Sequence, residues 1–116
     1  MSQGPGPAAP LIAALAVAAS LALAAAAPTT PALGRHVVEI RGMAFHPQVL
    51  QVSRGDTVVW INRDIVPHTA TATRKGGWNT GPLSQGTTGR YIADRRGEDP
   101  YICELHPTMA GKLIVR

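Results

Sequence analysis

From residue 35 onward, apolar residues come in short bursts and never at helical spacing. His36-Val37-Val38-Glu39-Ile40 reads as a strand with Val38 and Ile40 on one face, because residues two apart share a side of a pleated strand. Gly42 interrupts the pattern, Met43-Ala44-Phe45 resumes it, and His46-Pro47 turns the chain. Val49 to Val52 forms the next strand, stopped by Ser53-Arg54-Gly55-Asp56. Thr57 to Asn62 is almost continuously β-branched and aromatic, which predicts a strand buried on both faces. Thr69 to Thr73 alternates with period two, the pattern of a half-buried strand. Gly76 to Gly89 holds five glycines and Pro82 and reads as loop. Arg90 to Ala93, Pro100 to Cys103 and Lys112 to Val115 supply three more strands. Many short strands with turn signals between them predict an all-β sandwich.

The first third of the chain is different. Leu11 to Ala27 is a seventeen-residue run of small and apolar residues broken only by Ser20. That is longer than the usual core of a secretory signal and shorter than the ~20 residues that span a bilayer comfortably. Ala-x-Ala sites end at Ala24 and Ala26. The expected organisation is a signal peptide over residues 1–26, a linker over 27–34 and one domain over 35–116. The protein is then exported, to the periplasm or beyond. An uncleaved segment anchoring it to the membrane is the alternative, and the only route by which this reading involves a membrane.

Every charge lies between Arg35 and Arg116: eleven basic residues, nine of them Arg, against seven acidic ones. The excess is scattered and only five aromatics accompany it. A nucleic-acid surface would show a dense basic stripe or interleaved aromatics, so nucleic acid is excluded as a partner. Steering toward an acidic redox partner and plain solvation of the surface both fit the charge. A single cysteine rules out an internal disulfide.

That cysteine opens the chemically densest stretch of the chain, Cys103-Glu104-Leu105-His106-Pro107-Thr108-Met109. Thiolate, imidazole and thioether follow one another at intervals of three. Pro107 lacks a donor N–H and pushes His106 out of helical conformation, so the segment is a turn. His68, in Ile65-Val66-Pro67-His68-Thr69, adds a second imidazole. Two histidines and a cysteine with a weak axial thioether are what a blue-copper site requires. His68, Cys103, His106 and Met109 are therefore the expected copper ligands, the alternative being a buried structural cysteine. Alternation along the strand sends Tyr101 and Cys103 one way and Ile102 and Glu104 the other, so Glu104 is not expected to ligate.

With these residues in view, the chain resembles the cupredoxins, the small blue-copper proteins of the plastocyanin and amicyanin group, over about residues 36–116. The run Gly55-Asp56-Thr57-Val58-Val59-Trp60-Ile61-Asn62-Arg63-Asp64 with Pro67-His68, and the two-residue gap between His106 and Met109, look most like amicyanin. The resemblance implies an eight-stranded Greek-key β-sandwich with copper at one end. It implies His68, Cys103 and His106 as equatorial ligands and Met109 as axial. Two positions depart from the pattern: Thr69 stands where many members have Asn, and Glu104 where many have Thr. The resemblance also implies that His106 presents its ring edge within an apolar patch, for which Ile65, Val66, Pro67, Pro82 and Pro107 are candidates.

The expected function is a type 1 copper protein, monomeric, that carries single electrons between a redox donor and acceptor outside the cytoplasm. It is not expected to be an enzyme: there is no His-x-His pair for further coppers, no second cysteine for a dinuclear centre and no nucleophile pair. The alternatives are copper trafficking or resistance with the same ligands, and a metal-free binding sandwich. Among the remaining residues, His46 and His36 read as surface histidines, Met43 as rim or packing, and Trp60 as core. Tyr91 and Tyr101 read as core residues with satisfied hydroxyls.

Overall fold

The computed structural model describes residues 2–10, 13–20 and 32–116. The chain divides into two units, Met1–Thr30 and Pro31–Arg116. In the first, the described residues are exposed and form neither helix nor strand. Among the described residues no helix is long and apolar enough to cross a membrane. The Ala-x-Ala positions Ala24 and Ala26 lie outside the described residues.

The second unit is a sandwich of two four-stranded sheets. Its strands are β1 (Arg35–Arg41), β2 (Ala44–His46), β3 (Val49–Val52), β4 (Thr57–Asn62), β5 (Thr71–Ala72), β6 (Thr88–Ile92), β7 (Gly97–Cys103) and β8 (His106–Val115). One sheet is ordered β2-β1-β4-β6, the other β3-β8-β7-β5. Only β1–β2 and β7–β8 are connected within a sheet. Every other connection crosses between sheets, as expected of a Greek-key sandwich. β1 lies parallel to β4, and β3 parallel to β8.

The strand alternation read from sequence sets the core. Val38 and Ile40 of β1 are fully buried, as are Val58 and Trp60 of β4. The outer face of β4 is only partly covered: Val59 is buried, while Thr57 and Ile61 are half-buried. The expectation of burial on both faces thus holds at one outer position, because a two-layer sandwich leaves each sheet a solvent side. β8 starts at His106, well before Lys112, and β7 starts at Gly97, before Pro100. Their antiparallel ladder, running from Gly97↔Val115 to Ile102↔Ala110, supplies a partner where local propensity is weak. Along β8 Met109, Gly111, Leu113 and Val115 are buried and alternate with more exposed residues. Gly111 is required there because a Cβ would overlap the Tyr101 ring.

All five aromatic residues belong to one connected cluster. Trp60 stacks on Trp78 with ring centroids 4.9 Å apart, and Trp78 stacks on Tyr91 at 4.8 Å. Tyr101 meets Phe45 edge-on at 4.7 Å and Trp60 at 5.4 Å. The Tyr91 hydroxyl is satisfied, donating to Asp94 Oδ1 at 2.7 Å. The Tyr101 hydroxyl is not. Among the described residues it is buried without a hydrogen-bond partner, as is Trp60 Nε1, and burial pushes the Tyr101 phenol up to about 12. The expectation of a satisfied Tyr101 hydroxyl fails because the ring sits inside the aromatic cluster, with Gly111 across from it.

Asp56 closes the end of the sandwich where β1 begins. Its carboxylate accepts hydrogen bonds from Gly34 N–H at 2.7 Å and Ser53 N–H at 2.9 Å and pairs with His36 Nε2 at 2.9 Å. Gly34, placed in the linker by sequence, is thereby tied to the folded unit. The Gly34 N–H first, then His36 and the Ser53 N–H, hold the Asp56 carboxyl below its usual range, with burial opposing. A depressed carboxyl stabilises the fold above its unfolded pKa of about 3.9, and that contribution is lost as pH falls through the folded value. Urea denaturation from pH 6 down to pH 2.5 should therefore show a steep loss of stability below about pH 4. Asp56→Asn should be less stable at neutral pH and should flatten that slope. Parallel slopes for the two proteins would remove Asp56 as a source of the acid sensitivity.

Candidate metal centre

Two segments of the chain meet at one end of the sandwich. One follows β4 and carries His68; the other is the β7–β8 hairpin, which carries Cys103, His106 and Met109. The buried Asn62 at the end of β4 organises the first. Its Nδ2 donates to Val66 O and to Leu83 O, both at 2.8 Å, and its Oδ1 accepts the Asp64 N–H at 2.9 Å. The Arg63–Pro67 loop is thus wound around a side-chain amide. His68 is then clamped by a two-bond bridge: its N–H donates to Leu83 O at 3.1 Å, and Leu83 N–H donates to His68 O at 2.7 Å.

The second segment turns through Glu104 and Leu105 alone, with Cys103 paired to His106 across the hairpin. The ladder shifts register between Ile102 and Cys103. Cys103 is fully buried and Met109 is 5% exposed, whereas His106 is half-buried. Tyr101 and Cys103 are buried and Glu104 is exposed, as the alternation requires.

Donor atoms of His68, Cys103 and His106 lie within 4.8 Å of one another. Cys103 Sγ is 3.6 Å from His68 Nδ1 and 3.7 Å from His106 Nδ1, and the two imidazole rings are 4.9 Å apart. The geometry explains why Nδ1 faces the sulfur on His68. Its Nε2 is engaged by Asp64 Oδ2 at 2.9 Å, so a proton on Nε2 leaves the Nδ1 lone pair free for a metal. Asp64 also accepts the backbone N–H groups of Gly42 and Met43 at 2.8 and 2.9 Å. Burial alone would raise the Asp64 carboxyl, but hydrogen bonds from Met43, His68 and Gly42 outweigh it and hold the carboxyl below its usual range. Among the described residues His106 Nε2 has no such partner.

Thr69 joins the two segments. Its backbone N–H donates to Cys103 Sγ at 3.3 Å, and its Oγ1 accepts the Glu104 N–H at 2.8 Å. The hydroxyl continues to Thr71 Oγ1 at 2.9 Å, which donates to Asn79 Oδ1 at 3.0 Å. The hydrogen bond to the sulfur thus comes from the backbone, and Thr in place of Asn does not remove it. The same contacts shorten the strand predicted over Thr69–Thr73 to Thr71–Ala72. Thr69 and Ala70 spend their N–H groups on Cys103 Sγ and Thr80 Oγ1, outside any ladder.

Asn62, Asp64 and the Thr69 hydroxyl were not singled out by the sequence reading. The signal for Asp64 was available: it lies four residues before His68 in a loop, within reach of the ring. His46 lies apart from the cluster, its Nε2 on Arg41 O at 3.2 Å. His36 belongs to the Asp56 end. The apolar residues named for the rim, Ile65, Val66, Pro67, Pro82 and Pro107, are all exposed. Leu105 and Met43, 49% and 44% exposed, add to the apolar surface of the same end.

Comparison with known proteins agrees with this picture. The family described as copper binding proteins, plastocyanin/azurin family, matches residues 34–116. Amicyanin from Paracoccus denitrificans is 33% identical over 91 residues, which cover 71% of this chain and 66% of that protein. Amicyanin from Paracoccus versutus is 29% identical, with 68% and 63% covered. The chain thus spans slightly under two thirds of the length of these relatives. A solved copper(I) form of an amicyanin variant superposes with a TM-score of 0.68 at 30% identity, covering 72% of this chain and 83% of that one. A copper-containing nitrite reductase from Thermus scotoductus SA-01 superposes at 0.65 and 30% identity, covering 71% of this chain but only 22% of that one.

Replacing Asp64 tests the support under His68. Asp64→Asn keeps one acceptor oxygen but cannot serve three donors as a carboxylate does. Copper affinity should fall by about ten- to a hundredfold, the usual effect of losing a partner behind a ligating histidine. Copper(II) titration against a competing chelator measures it, and unchanged affinity would show that the His68 ring is held by packing alone.

Proposed function

We propose that this chain, which belongs to the plastocyanin/azurin family of copper-binding proteins, carries single electrons between redox partners outside the cytoplasm. The observation that carries the reading is the convergence of one buried thiol and two imidazole nitrogens within 4.8 Å. The donor set fits copper: a soft thiolate and two imidazoles, with the buried Met109 thioether close by in sequence and on the inner side of β8. Copper, when bound, supplies a one-electron couple between Cu(II) and Cu(I). His68, Cys103 and His106 are its proposed equatorial ligands and Met109 its axial one.

The protein's own part in this chemistry is to hold the donors still. The His68 bridge to Leu83, the Asp64 carboxylate and the Thr69 clasp fix two donors before any ion arrives. A donor set that cannot relax toward either oxidation state's preferred geometry keeps the two states structurally close, which suits rapid electron exchange. The half-buried His106 is the route by which an electron reaches the surface, and the apolar residues around this end are the docking surface.

Two observations favour a carrier over copper trafficking. Cys103 and Met109 are both buried, and the other described methionine, Met43, stands alone on the surface. A protein that hands copper on would present its soft ligands. The likeness to nitrite reductase concerns one part of that enzyme, since the chain spans 22% of it, so it supports a shared copper-binding domain and not a shared reaction. Export is supported by the apolar run of residues 11–27.

Two substitutions test the ligand roles. Cys103→Ser should abolish the intense visible absorption of the copper(II) protein while the sandwich still folds, because the harder, far less acidic hydroxyl cannot replace a thiolate. A retained band would exclude Cys103. Met109→Leu should keep the colour and raise the reduction potential, since a thioether favours Cu(II) slightly. The swap nearly conserves volume and should cost about 1.5 kcal/mol or less. Voltammetry showing a flat or lowered potential would exclude Met109 as the axial group.

A further inference from the structure

The strand directions sort the charges to opposite ends of the sandwich. β7 runs from Gly97 to Cys103 and β8 returns from His106 to Val115. The end remote from Cys103 is therefore built from Gly34–Arg35, the Ser53–Asp56 turn, the Ala93–Arg96 segment and Arg116. These pieces are laced together: Gly55 N–H donates to Ala93 O at 2.6 Å, Arg54 N–H to Arg116 O at 2.8 Å and Thr57 N–H to Gly34 O at 2.9 Å. Arg35, Arg54, Arg95, Arg96 and Arg116 are all exposed there. None of the five is in an ion pair among the described residues. Of the three acids at or beside this end, Asp56 is buried and occupied by Gly34, Ser53 and His36, Asp94 accepts from Tyr91, and Glu98 is paired with Lys112. Leu33 and Ile92, 74% and 58% exposed, stand at the same end. At the copper end the balance reverses: Glu39, Asp64 and Glu104 face Arg41 and Arg63, and Arg41 is itself paired with Glu39.

A basic surface attracts either an acidic protein or an anionic bilayer. Ten residues of β8 at about 3.3 Å each separate this end from His106, roughly 30 Å. An electron-exchange partner docked here would be remote from the copper ligands, and tunnelling falls exponentially with distance. Exposed aliphatics among arginines match the boundary between headgroups and acyl chains, where each basic residue adds attraction to anionic lipid. In the sequence, only residues 28–32 separate Leu33 from the apolar run of residues 11–27. We propose that the end of the sandwich opposite Cys103 docks on an anionic lipid surface through Arg35, Arg54, Arg95, Arg96 and Arg116, with Leu33 and Ile92 at the boundary. His106 and its apolar surroundings then face water, where soluble partners move.

The test is hydrogen exchange on the full chain, with vesicles of phosphatidylcholine alone or mixed with phosphatidylglycerol. Anionic vesicles should slow exchange at residues 53–55 and 94–97 and leave residues 104–108 unchanged; zwitterionic vesicles should not slow the first two segments. The variant Arg54→Ser/Arg95→Ser/Arg96→Ser removes only exposed side chains, and circular dichroism checks its fold. It should lose the protection and partition on the order of a hundredfold more weakly to this surface. Equal protection by both vesicle types, protection that survives in the variant, or protection centred on residues 104–108 would each overturn the proposal. So would protection by soluble poly-aspartate, standing for an acidic protein face, where anionic vesicles give none. The measurement needs no copper, so its failure leaves the electron-carrier reading intact.

Discussion

The candidate metal centre depends on Thr69. Its backbone N–H points at the Cys103 sulfur and its hydroxyl receives the Glu104 N–H, so one residue binds the His68 segment to the hairpin that carries the other candidate ligands. Cys103 and His68 are thirty-five positions apart and on different connections of the sandwich. Their donor atoms come to 3.6 Å because the chain between them is pinned at both ends. The N–H to sulfur contact also has an electrostatic role. The donated N–H gives a wholly buried sulfur a polar partner.

Much of this was legible in the sequence, for an identifiable reason. Strands whose burial alternates, such as β1, or whose residues are β-branched throughout, such as β4, appear as pattern because side chains point up and down with period two. The cysteine, histidine and methionine residues and their spacing are chemical facts of the chain. What could not be read came from groups that act only through partners distant in sequence. The early start of β8 at His106 follows from its ladder with β7, since His106-Pro107-Thr108 has little strand character alone. The break in the Thr69–Thr73 pattern comes from two N–H groups drawn off to Cys103 and Thr80. The unsatisfied Tyr101 hydroxyl results from aromatic packing that no local pattern encodes.

Asn62 shows the same limit most clearly. By type it is a strand-terminating polar residue, and its neighbours suggest nothing more. In the folded chain it is wholly buried and serves as the internal frame of the loop leading to His68, bonding two carbonyls and one N–H. A buried amide with every group satisfied rigidifies what it holds, since breaking one of those bonds would leave an unpaired polar atom in the interior.

The two imidazoles are anchored unequally. His68 is fully buried, bridged through its backbone and held at Nε2 by a carboxylate that is itself fixed by the Gly42-Met43 turn. His106 is half-buried and, among the described residues, has no protein partner at Nε2. With the ligand roles proposed above, the centre has a wall and a door. An arriving ion would find the sulfur and one nitrogen already in place, and His106 would supply the donor nearest to solvent. Loading and loss of an ion would then run through the half-buried His106 ring, the imidazole without a protein partner at Nε2 among the described residues.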